Sequence, residues 1–153
     1  ETCDLGILDR GEVLYVEVVH SHHSLTIAAR IGRRLPAYCT ASGRVFLAFL
    51  PPGILEPILN GPLIPCTGRT ITSVDDLRKE LEFTRQRGYA LDDEELEAGI
   101  RAVSAPIRDI DGKVIAALSI PGPVNRMPPE RMPEIAAALL EATDAISTRM
   151  LHL

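Results

Sequence analysis

The first part of the chain carries short apolar runs of the kind that form strands. Residues 3–10 and 13–20 are rich in valine, isoleucine and leucine and are separated by Gly11-Glu12, which predicts a β-hairpin. Residues 24–31 alternate between apolar and polar positions, which predicts a third strand, and Gly32-Arg33-Arg34 should end it. We therefore expect the chain to begin with three strands.

The middle of the chain changes to helical patterns. A helix is predicted from about Ser42 to Leu50, because this stretch is almost wholly apolar and is followed by two prolines and a glycine. A short helix around residues 54–59 is compatible with the pattern. Residues 73–76 match a capping box and predict a helix that ends at Gly88.

The last part predicts a strand, a hairpin and a long helix. Residues 89–91 resemble a short strand, and residues 100–110 and 113–120 flank Asp111-Gly112, a strong hairpin signal. Pro128-Pro129 opens the final helix, whose apolar stripe is predicted to be Met132, Ile135, Ala136, Leu139, Leu140, Ile146 and Met150. The whole pattern, over residues 1–153, predicts one α+β domain with a largely antiparallel sheet flanked by helices.

Composition and charge narrow the function classes. The net charge is -5, so the chain should not attract the phosphate backbone of a nucleic acid by itself. The apolar stretches are too short to span a membrane, and the three cysteines are too scattered for a disulfide framework, which favours a reducing cytoplasm. Because the chain opens on Glu1 rather than methionine, we expect it to be a fragment of a longer protein.

Small polar residues stand directly before the most apolar helix. Thr40 or Ser42 would act as its N-cap, which is the simplest explanation of the hydroxyls. Gly43 fits that explanation less well, because glycine disfavours a helix, and it suggests that something approaches the backbone closely. A helix N-terminus also binds anions. The residues alone leave a cap and an anion-binding site as open alternatives.

Three other groups are candidates for chemistry. His20, His22 and His23 suggest a metal site, although a surface turn explains them as well. The acidic run 92–95 is typical of a solvated face, but Asp92 follows a strand directly and is expected to point inward. Cys39 would be a nucleophile at a helix N-terminus, yet no histidine stands at a recognisable spacing to act as its base.

Three separated motifs, in order along the chain, resemble one protein family. They are LPAYCTASGR at 35–44, GYALDDEE at 88–95 with Gly99-Ile100-Arg101, and SAP at 104–106 followed by ALSIPGP at 117–123. They are similar to the conserved segments of the IclR family of bacterial transcriptional regulators, colinearly over essentially the whole chain. The resemblance implies a cytoplasmic, non-enzymatic, cofactor-free effector-binding domain with a GAF-like fold, a curved antiparallel sheet with a pocket on one face.

The resemblance also implies partners and a site. The effector would be a small carboxylic or aromatic acid, the assembly a homodimer or homotetramer, and DNA would be bound only by a winged helix-turn-helix domain upstream of Glu1. The residues that fall on the family's pocket positions are Ala41, Ser42, Gly43, Asp92, Ala102, Ser119, Ile27, Leu35 and Ile100.

Some positions depart from the family pattern. Ala102 and Pro121 replace polar residues that other members use, and Tyr38 replaces a common histidine. These departures predict a pocket less polar than those of members that bind small α-keto acids, and hence a larger or more apolar acid as effector. The alternatives that remain are a metal-binding sensor using the three histidines and an enzyme using Cys39 or Asp92.

Overall fold

A computed structural model of the chain describes residues 1–152. Its centre is a six-stranded antiparallel sheet in the order β3-β2-β1-β6-β5-β4. The strands are β1 (Cys3–Asp9), β2 (Glu12–Val19), β3 (Arg34–Pro36), β4 (Ala90–Asp93), β5 (Ile100–Arg108) and β6 (Val114–Pro123). The helices are α1 (Ala41–Phe49), α2 (Pro52–Leu59), α3 (Val74–Arg87) and α4 (Met132–Met150).

Both predicted hairpins are confirmed. β1 and β2 are joined at Arg10 and Gly11, which both have positive φ angles, as a tight hairpin turn requires. β5 and β6 are joined through Asp111 and Gly112, and Gly112 has a φ of 78°. Because β1 also pairs with β6, the two hairpins form one continuous sheet.

The predicted third strand over residues 24–31 is wrong. These residues lie in an irregular loop, and the strand that pairs with β2 is β3, which starts at Arg34, where the sequence had predicted a break. Only Ile27 and Ala29 of the alternating stretch turn towards a cavity, whereas the apolar side chains of Leu25 and Ile31 are exposed. The alternation therefore does not mark a continuous buried face.

The helices are close to their predicted positions. α1 begins and ends one residue earlier than predicted, and Pro52 to Leu59 form α2. Ser73 caps α3, with the Asp76 N–H donating to its Oγ at 3.3 Å, and Gly88 ends that helix in a left-handed conformation. No helix among residues 1–152 is long and apolar enough to cross a membrane.

The sheet is covered on both faces, which confirms the α+β prediction. α1 packs on one face through Ala41, Val45 and Phe46, with α2 and α3 behind it. α4 packs on the other face through Met132, Ala136 and Leu139. The predicted stripe of α4 is wrong at its end, because Ile146 and Met150 are exposed and Thr143 is buried in their place.

Candidate ligand-binding site

A cavity lies between the N-terminus of α1, the sheet face below it and the loop over residues 20–33. It holds about 560 Å³ of space free of protein atoms, its open mouth included. Every predicted pocket residue except Gly43 lines it: Ile27, Leu35, Ala41, Ser42, Asp92, Ile100, Ala102 and Ser119, together with Pro121. The positions that the resemblance implied are therefore brought together in space, although they come from six separate segments.

The register of the sheet explains why these positions meet. Ala102 on β5 pairs with Asp92 on β4 and with Pro121 on β6, so the three form one row across the sheet. Ser119 pairs with Ser104 on β5 and with Asp4 on β1, which makes a second row. Residues two apart on a strand point to the same face, so both rows face the cavity.

The N-terminus of α1 supplies the upper wall. The Thr40 hydroxyl accepts a hydrogen bond from the Gly43 N–H at 3.1 Å, so Thr40 is the cap and Ser42 is not. The N–H groups of Ala41 and Ser42 belong to the first turn, which has no intrahelical acceptors. Ser42 is buried, lines the cavity and has its hydroxyl 3.5 Å from that of Ser104. The helix cap and the cavity-lining surface are thus formed by neighbouring residues.

Gly43 has a different role from the one predicted. It does not line the cavity, and a Cβ at this position would collide with the backbone of Ala37. The close approach that the glycine indicated is therefore made by the chain itself, because α1 packs directly against the turn Ala37–Cys39.

Asp92 points inward, as predicted. Its side chain is buried, and its Oδ1 accepts a hydrogen bond from the Glu95 N–H at 2.9 Å. Burial raises the pKa of Asp92 to about 7, although the hydrogen bond from Glu95 opposes the shift. Near neutral pH the Asp92 carboxyl group is therefore present in two forms. The protonated form can donate a hydrogen bond, and the ionised form only accepts.

The rest of the acidic run pairs with arginines, although Asp93 remains about half exposed. Arg44 is fully buried; it donates to the carbonyls of Tyr38 at 3.1 Å and Leu91 at 3.0 Å and forms an ion pair with Glu95. The remaining two acids of the run, Asp93 and Glu94, pair with Arg69 and Arg101. Arg44 therefore ties α1 to β4 and the turn that follows it.

Several lining residues were not identified from the sequence. They are Asp4, Tyr15, Ala29, Arg30, Arg33, Thr40, Leu96 and Glu97. Of these residues, Asp4 is the one that the sequence could have indicated. An acidic residue within an apolar strand is seldom buried without a reason. The cavity as a whole is therefore more polar than Ala102 and Pro121 suggested.

Asp4 is the unusual member of this group. Only 6% of it is exposed, and its Oδ1 has no hydrogen-bond partner among the described residues. Burial raises the pKa of Asp4 to about 7, and the charge of Arg33 opposes the shift.

The metal and nucleophile candidates find no support in the geometry. His20, His22 and His23 are exposed on the loop, and within residues 1–152 no group of three ligating side chains is placed to hold a metal ion. Cys39 lies 3.7 Å from the sulfur of Cys66, and burial raises the pKa of its thiol, which disfavours the nucleophilic thiolate.

Tyr38 also lies outside the cavity. Its hydroxyl donates to the carbonyl of Ile64 at 2.7 Å. The replacement of the common histidine therefore affects the packing of the loop after α2 rather than the lining of the site.

Comparisons with known proteins agree with this geometry. Residues 1–148 match the family described as bacterial transcriptional regulator IclR, C-terminal. The chain is 41% identical over 151 residues to the HTH-type transcriptional regulator KdgR of Escherichia coli, an alignment that covers 98% of this chain and 57% of that protein. The chain thus spans little more than half the length of this relative.

Solved structures give the same result. The IclR protein of Thermotoga maritima superposes with a TM-score of 0.92 at 38% identity, covering 99% of this chain and 62% of that one. An IclR homologue of Microbacterium hydrocarbonoxydans, solved in complex with 4-hydroxybenzoate, gives 0.90 at 31% identity, covering 100% and 62%. The relatives are transcriptional regulators rather than enzymes. The chain belongs to the IclR family and is the C-terminal, effector-binding domain of such a regulator.

Proposed function

We propose that this domain senses a small carboxylic or aromatic acid whose carboxylate binds at the N-terminus of α1. The observation that carries the proposal is that Ala41 and Ser42, in the first turn of α1, line a cavity. A helix N-terminus favours negative charge, and charge-assisted hydrogen bonds of this kind contribute about 1.5–3 kcal/mol each. Arg30 and Arg33 at the mouth add positive charge.

The other walls fit the body of such an acid. Ile27, Leu35, Ile100 and Pro121 offer an apolar surface, and Asp92 offers a hydrogen-bonding group in their midst. The Microbacterium homologue was solved with an acid that combines an apolar ring and a hydroxyl group, which supports this class of ligand here. The absence of polar side chains at Ala102 and Pro121 favours such acids over a two- or three-carbon α-keto acid.

The regulatory consequence is also part of the proposal. The full-length protein would be a cytoplasmic homodimer or homotetramer that binds DNA through an N-terminal winged helix-turn-helix domain outside this chain. Effector binding would tighten the sheet around the cavity and shift the arrangement of subunits, since a ligand can bias only states that it binds with different affinity. Unchanged operator affinity and quaternary state of the full-length protein at saturating effector would overturn this coupling.

Thermal melts against a panel of acids test the binding step. A ligand at about a hundred times its dissociation constant adds about 2.7 kcal/mol, which raises the melting temperature by several degrees in a domain of this size. Ser42→Ala should reduce the shift, and Ser24→Ala, an exposed serine on the loop, should leave it unchanged. If no acid shifts the melting temperature, the whole proposal is wrong. If pyruvate binds more tightly than longer or aromatic acids, the proposed ligand class is wrong.

A further inference from the structure

The Oδ1 atom of Asp4 is a buried polar atom at the cavity that no partner among residues 1–152 satisfies. Asp4 is more than nine-tenths buried, it lines the cavity, and its Oδ1 has no partner within residues 1–152. A buried polar atom without a partner destabilises the folded state, so such atoms are rare unless a ligand or water completes them. The Oδ1 atom of Asp4 can therefore accept a hydrogen bond from a ligand in the cavity.

Asp4 and Asp92 lie on opposite walls. Asp4 is on β1 and Asp92 on β4, with β6 and β5 between them. Three strand spacings of about 4.8 Å each separate the two backbones before the curvature of the sheet is counted. A ligand with a single donor group besides its carboxylate can therefore donate to Asp4 or to Asp92, but not to both.

We propose that Asp4 is a ligand-binding residue that accepts a hydrogen bond from a hydroxyl group of the effector, and that the effector is a polyhydroxylated carboxylic acid with donors for both Asp4 and Asp92. This inference rests on the proposed function, because it requires a carboxylate at the N-terminus of α1. It adds a second contact point and narrows the ligand class.

The surroundings of Asp4 favour a hydroxyl over an ammonium group. Ser119 is its direct neighbour across the strands and offers a hydroxyl beside it, which suits a ligand with adjacent hydroxyl groups. Arg30 and Arg33 stand at the same cavity and would repel a cationic ligand. A carboxyl group whose pKa is about 7 also donates to a hydroxyl oxygen when it is protonated.

A matched series of ligands tests the inference by calorimetry near neutral pH. The probes are hexanoate, 6-aminohexanoate, D-gluconate, benzoate and 4-hydroxybenzoate, and the variants are Asp4→Leu and Asp4→Ala. Asp9→Asn is the control, because Asp9 is on the same strand but is outside the cavity and pairs with Arg34. We expect gluconate to bind more tightly than hexanoate. We also expect Asp4→Leu to lower the affinity for gluconate by about tenfold or more.

The controls separate a binding role from a structural one. Asp4→Leu should change the affinity for benzoate by less than about threefold and should raise the melting temperature of the free chain, because it removes an unpaired buried oxygen. If Asp4→Leu does not fold, Asp4→Ala, which removes the acceptor without adding bulk, should still weaken the binding of gluconate selectively.

The remaining outcomes overturn the inference in distinguishable ways. Equal losses for gluconate and benzoate would show that Asp4 acts only through structure. If hexanoate or 6-aminohexanoate binds more tightly than gluconate, the proposal that the effector is polyhydroxylated is wrong, but the proposed acid-sensing function stands. Failure of all five probes to bind would overturn the proposed function and this inference with it.

Discussion

Asp4 and Asp92 show how position alone changes the chemistry of a side chain. Both are aspartates on strands, and burial raises the pKa of each to about 7. The exposed aspartates of the same protein lie outside the cavity and pair with arginines or face solvent. A group that titrates near neutral pH inside a cavity is typical of a functional site.

These shifts predict a dependence of stability on pH. The pKa of Asp92 is higher in the folded chain than in the unfolded one, so the folded state binds the proton more tightly, and stability falls as the pH rises from about 4 to about 7. Each pKa unit corresponds to about 1.4 kcal/mol, so Asp92 should contribute a loss on the order of 2–3 kcal/mol between about pH 5 and about pH 8.

Urea unfolding at the two pH values measures this loss. Asp92→Asn should remove most of the Asp92 contribution, and the exposed Asp75→Asn should leave the pH dependence as it is in the wild type. An identical pH dependence in Asp92→Asn and the wild type would contradict the raised pKa. The other charged groups near Asp92, Glu95 and Arg44, remain in both proteins.

At the scale of elements, α1 combines two tasks that conflict in most helices. Its body is buried on every side between the sheet and the helices α2 and α3, while its first turn has to stay open to a cavity. Thr40 satisfies the Gly43 N–H with its side chain, and Gly43 lets the helix pack against the preceding turn. The first turn is thus fixed in place without being covered.

Adding one methyl group to Gly43 should damage this arrangement. Gly43→Ala forces a Cβ against the backbone of Ala37, and overpacking of this kind costs about 1–3 kcal/mol or more. Gly53→Ala is the matched control, because Gly53 lies in α2 with open space around it and should gain up to about 1 kcal/mol from helix propensity. Thermal melts of both variants check the prediction, and equal melting temperatures would contradict it.

At the scale of the whole molecule, a single buried arginine joins parts that are distant in sequence. Arg44 on α1 binds the carbonyl of Leu91 on β4 and the carboxylate of Glu95 in the following turn, beside the cavity-lining Asp92. Arg44 thereby fixes the position of the cavity wall that contains Ser42 relative to the wall that contains Asp92.

Removing the charge of Arg44 should therefore destabilise the fold strongly. Arg44→Met leaves Glu95 buried without its partner, and breaking a buried ion pair in this way costs about 3–5 kcal/mol. Arg34→Met removes an exposed pair with Asp9 and should cost about 1 kcal/mol or less. Urea unfolding compares the two variants, and a loss for Arg44→Met as small as that for Arg34→Met would show that the buried pair does not hold the molecule together.

The sequence determined the features that short-range physics controls. The hairpins at Gly11 and Gly112, the end of α1 before Pro51 and the capped helix from Ser73 to Gly88 all depend on residues within a few positions of one another. Turn conformation and helix capping act over that range, so the pattern was sufficient to predict them. The motifs then identified the family and most of the cavity.

Only the tertiary structure decided the features that depend on distant segments. Residues 24–31, expected to form a strand, lie in a loop, because the strand that pairs with the edge of β2 is β3. Asp4 became a cavity residue when β1 paired with β6, and Arg44 gained its partner when α1 packed against β4. Burial and pairing across the sheet set the chemistry of these side chains, and neither is expressed in the order of neighbouring residues.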